Sequence, residues 1–251
     1  MQLGTWNEVV VAGHACPCYQ PAAPAEHGYA VVYLHDGDAA KLPDESPLVE
    51  MLERYGFPAI CPMTGGSWWT DRICREFDAE TSAEQYVVRD VIAFLKEQWR
   101  VEPPRIALLG VGMGGQGALR MAYRYPVVFP IVAAISPAVD FHVAHEQGDP
   151  ILRQMYRDAE QARQDTATLH IHPLNWPRHQ WFACDPADYQ RHDSAERLRM
   201  KLYSLGVPHE CDLETTVPDD GPPYEAHIAE AAFEFLHQGL CLLYTSDAAD
   251  D

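Results

Sequence analysis

The chain has 251 residues, and 47% hydrophobic with 10% aromatic residues is enough to pack one large α/β domain, which excludes intrinsic disorder over most of its length. Its 18 Lys and Arg face 37 Asp and Glu, a net charge of −19 that repels phosphate backbones and anionic headgroups, so neither nucleic acid nor a membrane is an expected partner. No run approaches the ~18 to 20 apolar residues of a spanning helix, and the opening MQLGTWNEVVVAGH lacks the basic n-region and apolar core of a signal peptide, so a cytoplasmic protein is expected. The seven cysteines, at 16, 18, 61, 74, 184, 211 and 241, are scattered in a way that does not suggest a disulfide framework.

In chain order, apolar strand-like runs alternate with helical patterns, the pattern of a mainly parallel sheet covered on both faces. Asn7 to Ala12 and Tyr29 to Leu34 read as strands, with a poorly defined one near Cys16 to Tyr19. Ser46 to Tyr55 reads as a helix and Phe57 to Cys61 as a strand. The long loop that follows carries Gly65, Gly66, Trp68, Trp69 and Asp71. Val88, Val91, Ile92, Leu95 and Trp99 fall at helical spacing between Ser82 and Arg100, and Pro103 and Pro104 stop the helix. Arg105 to Leu109 is a short apolar strand that runs into Gly110-Val111-Gly112-Met113-Gly114-Gly115, with a helix predicted over Gln116 to Tyr125.

Ile131 to Ile135 is the next strand, and residues 136–178 read as an excursion above the sheet with one helix near Ile151 to Ala162. His179 to Cys184 is a strand, followed by a helix capped by Asp193 or Ser194 and stopped at Gly206. His209 to Thr215 is a strand, Val217 to Pro223 a turn-rich loop, and Tyr224 to Leu236 a final helix, making about eight strands in all. Residues 241–251, CLLYTSDAADD, read as the translation of a sequencing adapter, so residues 1–240 are expected to form one domain. Without the three Asp of that stretch the net charge is −16, still acidic.

A strand, a sharp Gly-rich turn and a helix form the setting of the nucleophile elbow G-x-S-x-G of α/β-hydrolases. Here the frame is Gly110-Val111-Gly112-Met113-Gly114, with Gly112 where such an enzyme has Ser. LLGVGMGGQGALRMAYRYP resembles the elbow and following helix of the esterase family that includes esterase D-like S-formylglutathione hydrolases and mycolyltransferases. GGSWWTDR and SPAVD resemble two further segments of that family, and the likeness extends over nearly all of residues 7 to 240.

The resemblance implies an α/β-hydrolase fold and a triad in the order Ser, Asp, His. ACDPADY resembles the strand-end pattern that carries the acid, which points to Asp188, with Asp185 as the alternative. The family's Gly-Gly-His-Ser-Trp-Glu is matched by Asp220-Gly221-Pro222-Pro223-Tyr224-Glu225, so Pro222 stands in the His slot. Gly112 has no atom to attack a carbonyl, and Pro222 can neither take nor return a proton. Loss of either group alone costs about 10⁶ in kcat in a serine protease.

An oxyanion hole could be built from Met113 N–H and a donor of the loop after the second strand, at Gly37 or Asp38, and Trp68 and Trp69 are candidates to wall the pocket. The expected function is a degenerate esterase that binds an ester-like or acyl small molecule. The alternative is an active ester or thioester hydrolase whose nucleophile lies elsewhere or is masked by a sequence error. Self-association is left open, and no cofactor is expected.

Weaker patterns have ordinary explanations. Gly110-x-Gly112-x-x-Gly115 also satisfies the dinucleotide fingerprint, but the next strand ends in Ser136-Pro137 and the nearest acid is Asp140. His227 is a helix histidine, displaced by five residues from the vacant slot. His142 with His145, His170 with His172, and His14 with Cys16 and Cys18 lack the ligand set of a strong zinc motif. Cys184 lies on the wrong strand to replace the nucleophile.

Overall fold

The computed structural model describes residues 4–25, 28–37, 42–218 and 221–247, the last four by backbone alone. Its strands are β1 (Thr5–Asn7), β2 (Val10–Val11), β3 (His14–Ala15), β4 (Cys18–Gln20), β5 (Ala30–Leu34), β6 (Ala59–Ile60), β7 (Ile106–Val111), β8 (Ile131–Ile135), β9 (His179–Ala183) and β10 (Glu210–Asp212). Among the described residues eight of them form one sheet in the order β1-β4-β6-β5-β7-β8-β9-β10, and β2 pairs with β3 in a separate hairpin. Neighbours from β6 through β10 are parallel, while β4 is antiparallel to both β1 and β6.

The central strands are apolar throughout because each feeds two cores. In β5, Ala30, Val32 and Leu34 face one side, and Val31 and Tyr33 face the other. Helix α1 (Pro47–Tyr55) starts at Ser46, whose hydroxyl accepts from Leu48 N–H, and ends at the left-handed Gly56. It shares the Val31 and Tyr33 side with α8 (Tyr224–Asp247), through Leu48, Leu52, Phe233 and Leu236. On the opposite side pack α2 (residues 83–99, capped by Ser82), α3 (Met113–Arg124) and α7 (Tyr189–Ser204), through Val87, Leu119 and Leu198. Turns Tyr86–Val91 and Leu95–Trp99 of α2 are π-helical.

Several boundaries differ from the sequence reading. The run from Asn7 to Ala12 is interrupted at Glu8 and Val9, which separate β1 from β2, and Ala12 and Gly13, both at positive φ, then turn β2 back onto β3. The excursion holds three short helices, α4 (His142–Gln147), α5 (Pro150–Met155) and α6 (Ala159–Arg163), where one was predicted. α7 begins at Tyr189 with Asp188 as its cap, not at Asp193 or Ser194. α8 continues past Leu236 to Asp247, because Leu240 and Leu243 prolong its buried stripe.

β6 lies beyond β5 on one side, and β8 lies beyond β7 on the other. The strand order therefore reverses between β5 and β7, and the loops leaving their carboxyl ends stand at the usual ligand position of open parallel sheets.

Candidate active site

The turn between β7 and α3 is made by Gly112, with φ 55° and ψ −117°, a conformation L side chains rarely adopt. It is clamped from the next strand, because Gly112 N–H donates to Ile135 O at 2.9 Å and Gly112 O accepts from Ala138 N–H at 2.9 Å. Gly114 then passes against the carbonyl of Leu34 with no room for a Cβ. That close approach carries the first turn of α3 to the end of β5, and it moves the helix start from the predicted Gln116 to Met113.

The loop after β5 is fixed from beneath by His35, which is 2% exposed. Its Nε2 accepts from Thr64 N–H at 3.1 Å, so Nδ1 carries the proton, which it donates to Asp36 O at 2.6 Å. Burial lowers the pKa of this imidazole and outweighs the opposing pull of Asp36, so the neutral form is favoured.

Asp36 dominates the site. Its Oδ1 accepts from Gly37 N–H and from Met113 N–H, both at 2.8 Å. Two predicted oxyanion donors thus converge on one oxygen, and that oxygen belongs to the chain itself. A Cβ placed on Gly112 would lie no more than 2.5 Å from each atom of the Asp36 carboxylate. The Arg191 guanidinium stands 3.6 Å from Asp36 Oδ2 and 3.7 Å from Asp188 Oδ2, linking the two acids. Asp38 lies outside the described residues.

The two candidate acids have different surroundings. Asp188 caps α7 by accepting from Arg191 N–H at 3.2 Å, and its side chain is 40% exposed. Asp185 is buried and bonds to the loop after β10, where the sequence places the His slot, accepting from Thr216 O–H at 2.8 Å and Val217 N–H at 3.3 Å. Burial raises the Asp185 pKa, but these donors and Ala187 N–H together outweigh it and hold the carboxyl below its usual range. Among the described contacts it is Asp185, not Asp188, that reaches this loop. Pro222 is exposed in the same loop, and Tyr224 after it is buried with no hydrogen-bond partner for its hydroxyl among the described residues.

A cleft of about 460 Å³ adjoins this region through Ala138, which bonds to Gly112, and Arg191, with Trp68, Phe141 and Val143 among its apolar walls and Asp188, Arg191 and Arg197 among its polar ones. The adjacent tryptophans part company, although φ is positive at both. Trp68 is half-buried against Phe141 and lines the cleft, and its carbonyl accepts from Gln116 Nε2 at 3.0 Å. Trp69 does not line it: the residue is fully buried and its Nε1–H donates to His35 O at 3.1 Å, so it braces the Asp36 loop from within the core.

Other candidates fall to structural roles. Cys184 is buried and its thiol is pushed up to about 12 by desolvation, which disfavours the thiolate. His227 is exposed on α8, His170 pairs with Asp165, and His145 bonds to the carbonyl of Tyr156. Asp140 is engaged by Arg197. No three His, Cys, Asp or Glu side chains converge as metal ligands among the described residues.

The mainly parallel eight-stranded sheet, with helices on both faces and its strand order reversing between β5 and β7, defines an α/β-hydrolase scaffold. The chain belongs to the esterase family: the family model described as "Putative esterase" matches residues 16–203. Among solved structures, fluorophosphonate-binding serine hydrolase F of Staphylococcus aureus superposes with a TM-score of 0.73 at 12% identity, covering 94% of this chain and 99% of that one. An S-formylglutathione hydrolase of Agrobacterium tumefaciens gives 0.67 at 16% identity over 94% and 93% of the two chains. MPT51 of Mycobacterium tuberculosis gives 0.61 at 17% over 92% and 98%. At these identities the likeness shows the fold alone. No curated protein matches the chain.

Proposed function

We propose that the chain is a catalytically degenerate member of the esterase family, one that binds an ester-like or acyl-bearing small molecule in the Trp68 cleft without efficient hydrolysis. The observation that carries this reading is the turn after β7: residue 112 is a glycine, and the space its side chain would use holds the Asp36 carboxylate. With Pro222 in the His slot there is no imidazole to move a proton, and the raised Cys184 thiol offers no thiolate in its place. Asp185 is the better fit to the acid slot, since its bonds to Thr216 and Val217 reach the loop that would carry the missing histidine. We place the protein in the cytoplasm, which suits cysteines that are mostly buried and joined by no disulfide among the described residues.

The test pairs turnover with binding. The intact chain is assayed on short p-nitrophenyl esters, and a panel of short acyl compounds is screened by thermal shift. The expected result is no turnover above the uncatalysed rate, with at least one acyl compound stabilising the wild-type chain and not Trp68→Ala. Saturable turnover that a serine reagent abolishes would overturn the reading.

A further inference from the structure

Asp36 stands at the end of β5 with its carboxylate turned onto its own loop and onto the turn after β7. Gly37 N–H and Met113 N–H meet at one oxygen, 2.8 Å from each, an arrangement that suits a partial or full negative charge. The resident of that position is an anion supplied by the chain. A carboxylate on an N–H makes a charge-assisted bond about twice as strong as one to a neutral acceptor. Being tethered, it also competes at an effective concentration that a free ligand rarely matches. A neutral carbonyl oxygen arriving from the cleft cannot compete on those terms. A Cβ at 112 would require this carboxylate to move, so the glycine and the acid are size partners. Withdrawal remains open to Asp36, because its side chain is 42% exposed and Arg191, 3.6 Å from Oδ2, lies beyond hydrogen-bond reach.

We propose that Asp36 is an autoinhibitory plug: it occupies the two-donor seat and the side-chain space at Gly112, and the seat accepts a ligand's carboxylate or carbonyl oxygen when Asp36 is withdrawn or removed. This rests on the reading of the adjoining cleft as an acyl-binding site.

Acetate is the probe, and the backbone amide resonances of Gly37 and Met113 are the readout. Titration into Asp36→Ala is expected to shift both amides saturably, at an affinity at least tenfold above that of the wild-type chain. Asp36→Asn, which keeps the acceptor and drops the charge, falls between and serves where the alanine variant does not fold. Equal acetate affinity in wild type and variants, or variants in which neither amide responds, overturns the proposal. A second arm needs no ligand. Gly112→Ser is expected to lower Tm sharply beside Asp36 and much less in the Asp36→Ala background, whereas additive shifts contradict the pairing. Ester turnover by the wild-type chain would sink the degenerate-enzyme reading while leaving these two results to be judged separately.

Discussion

His35 and Asp185 show how much of this site is held by single buried groups whose protonation differs between the folded and unfolded chain. His35 titrates lower in the folded chain than in the unfolded one, because burial disfavours its charge. The unfolded state therefore binds the extra proton, and the stability His35 contributes is whole above about pH 6.5 and is lost as pH falls through the interval below. Melting curves from pH 7.5 to 5 are expected to show a decline that is shallower in His35→Gln, and identical slopes would contradict the assignment. Asp185 works in the same sense at lower pH: its depressed carboxyl contributes stability above about pH 4 that is lost on further acidification. Asp185→Asn is expected to lose about 1.5–3 kcal/mol at neutral pH in urea unfolding, a difference that narrows toward pH 3. At this scale the sequence was legible in part. The glycine frame located Gly112 and Met113, and a turn-rich loop suggested Gly37. The Asp36 plug was not visible, because it depends on the fit of one carboxylate into a volume made by a glycine 76 residues away. Nothing in two adjacent tryptophans said which would face the cleft, since the loop geometry decides that.

Elements are joined here by charge as well as by apolar packing. Arg120, on α3, is fully buried and pairs with Glu84 of α2, also fully buried, and with Asp165 at 2.5 Å. Asp165 in turn accepts from the Tyr156 hydroxyl at 2.7 Å, so one guanidinium ties α3 to α2 and to the excursion that roofs the cleft. Without Arg120 the buried Glu84 keeps only Arg124, at 3.1 Å, and the Tyr125 hydroxyl, and Asp165 keeps His170 and Tyr156, so each acid loses its buried guanidinium. Arg120→Ala is expected to cost about 3–5 kcal/mol in chemical denaturation, with Arg120→Ala/Glu84→Gln costing less than the sum of its parts. Additive losses would mean that the network is not coupled. The central strands and the long helices were readable because two-sided burial makes a strand apolar throughout, and one-sided burial gives a helix its stripe. Boundaries were harder where local chemistry offered a decoy. Asp193 and Ser194 look like a cap, but the chain turns helical four residues earlier, at Tyr189, which is itself exposed and gives no periodic clue.

For the whole molecule, an esterase-family chain has the sheet, the strand-order reversal and a cleft, while Gly112, which we place in the nucleophile slot, has only a hydrogen atom beside the Asp36 carboxylate. No helix among the described residues is long and apolar enough to cross a membrane. The net charge of −19 disfavours polyanionic partners. The most direct test of the central claim is intact-mass spectrometry of the folded protein after incubation with a fluorophosphonate probe, which modifies activated serines. The account predicts an unchanged mass. A single stoichiometric adduct, mapped to one serine and lost on denaturation before labelling, would contradict it.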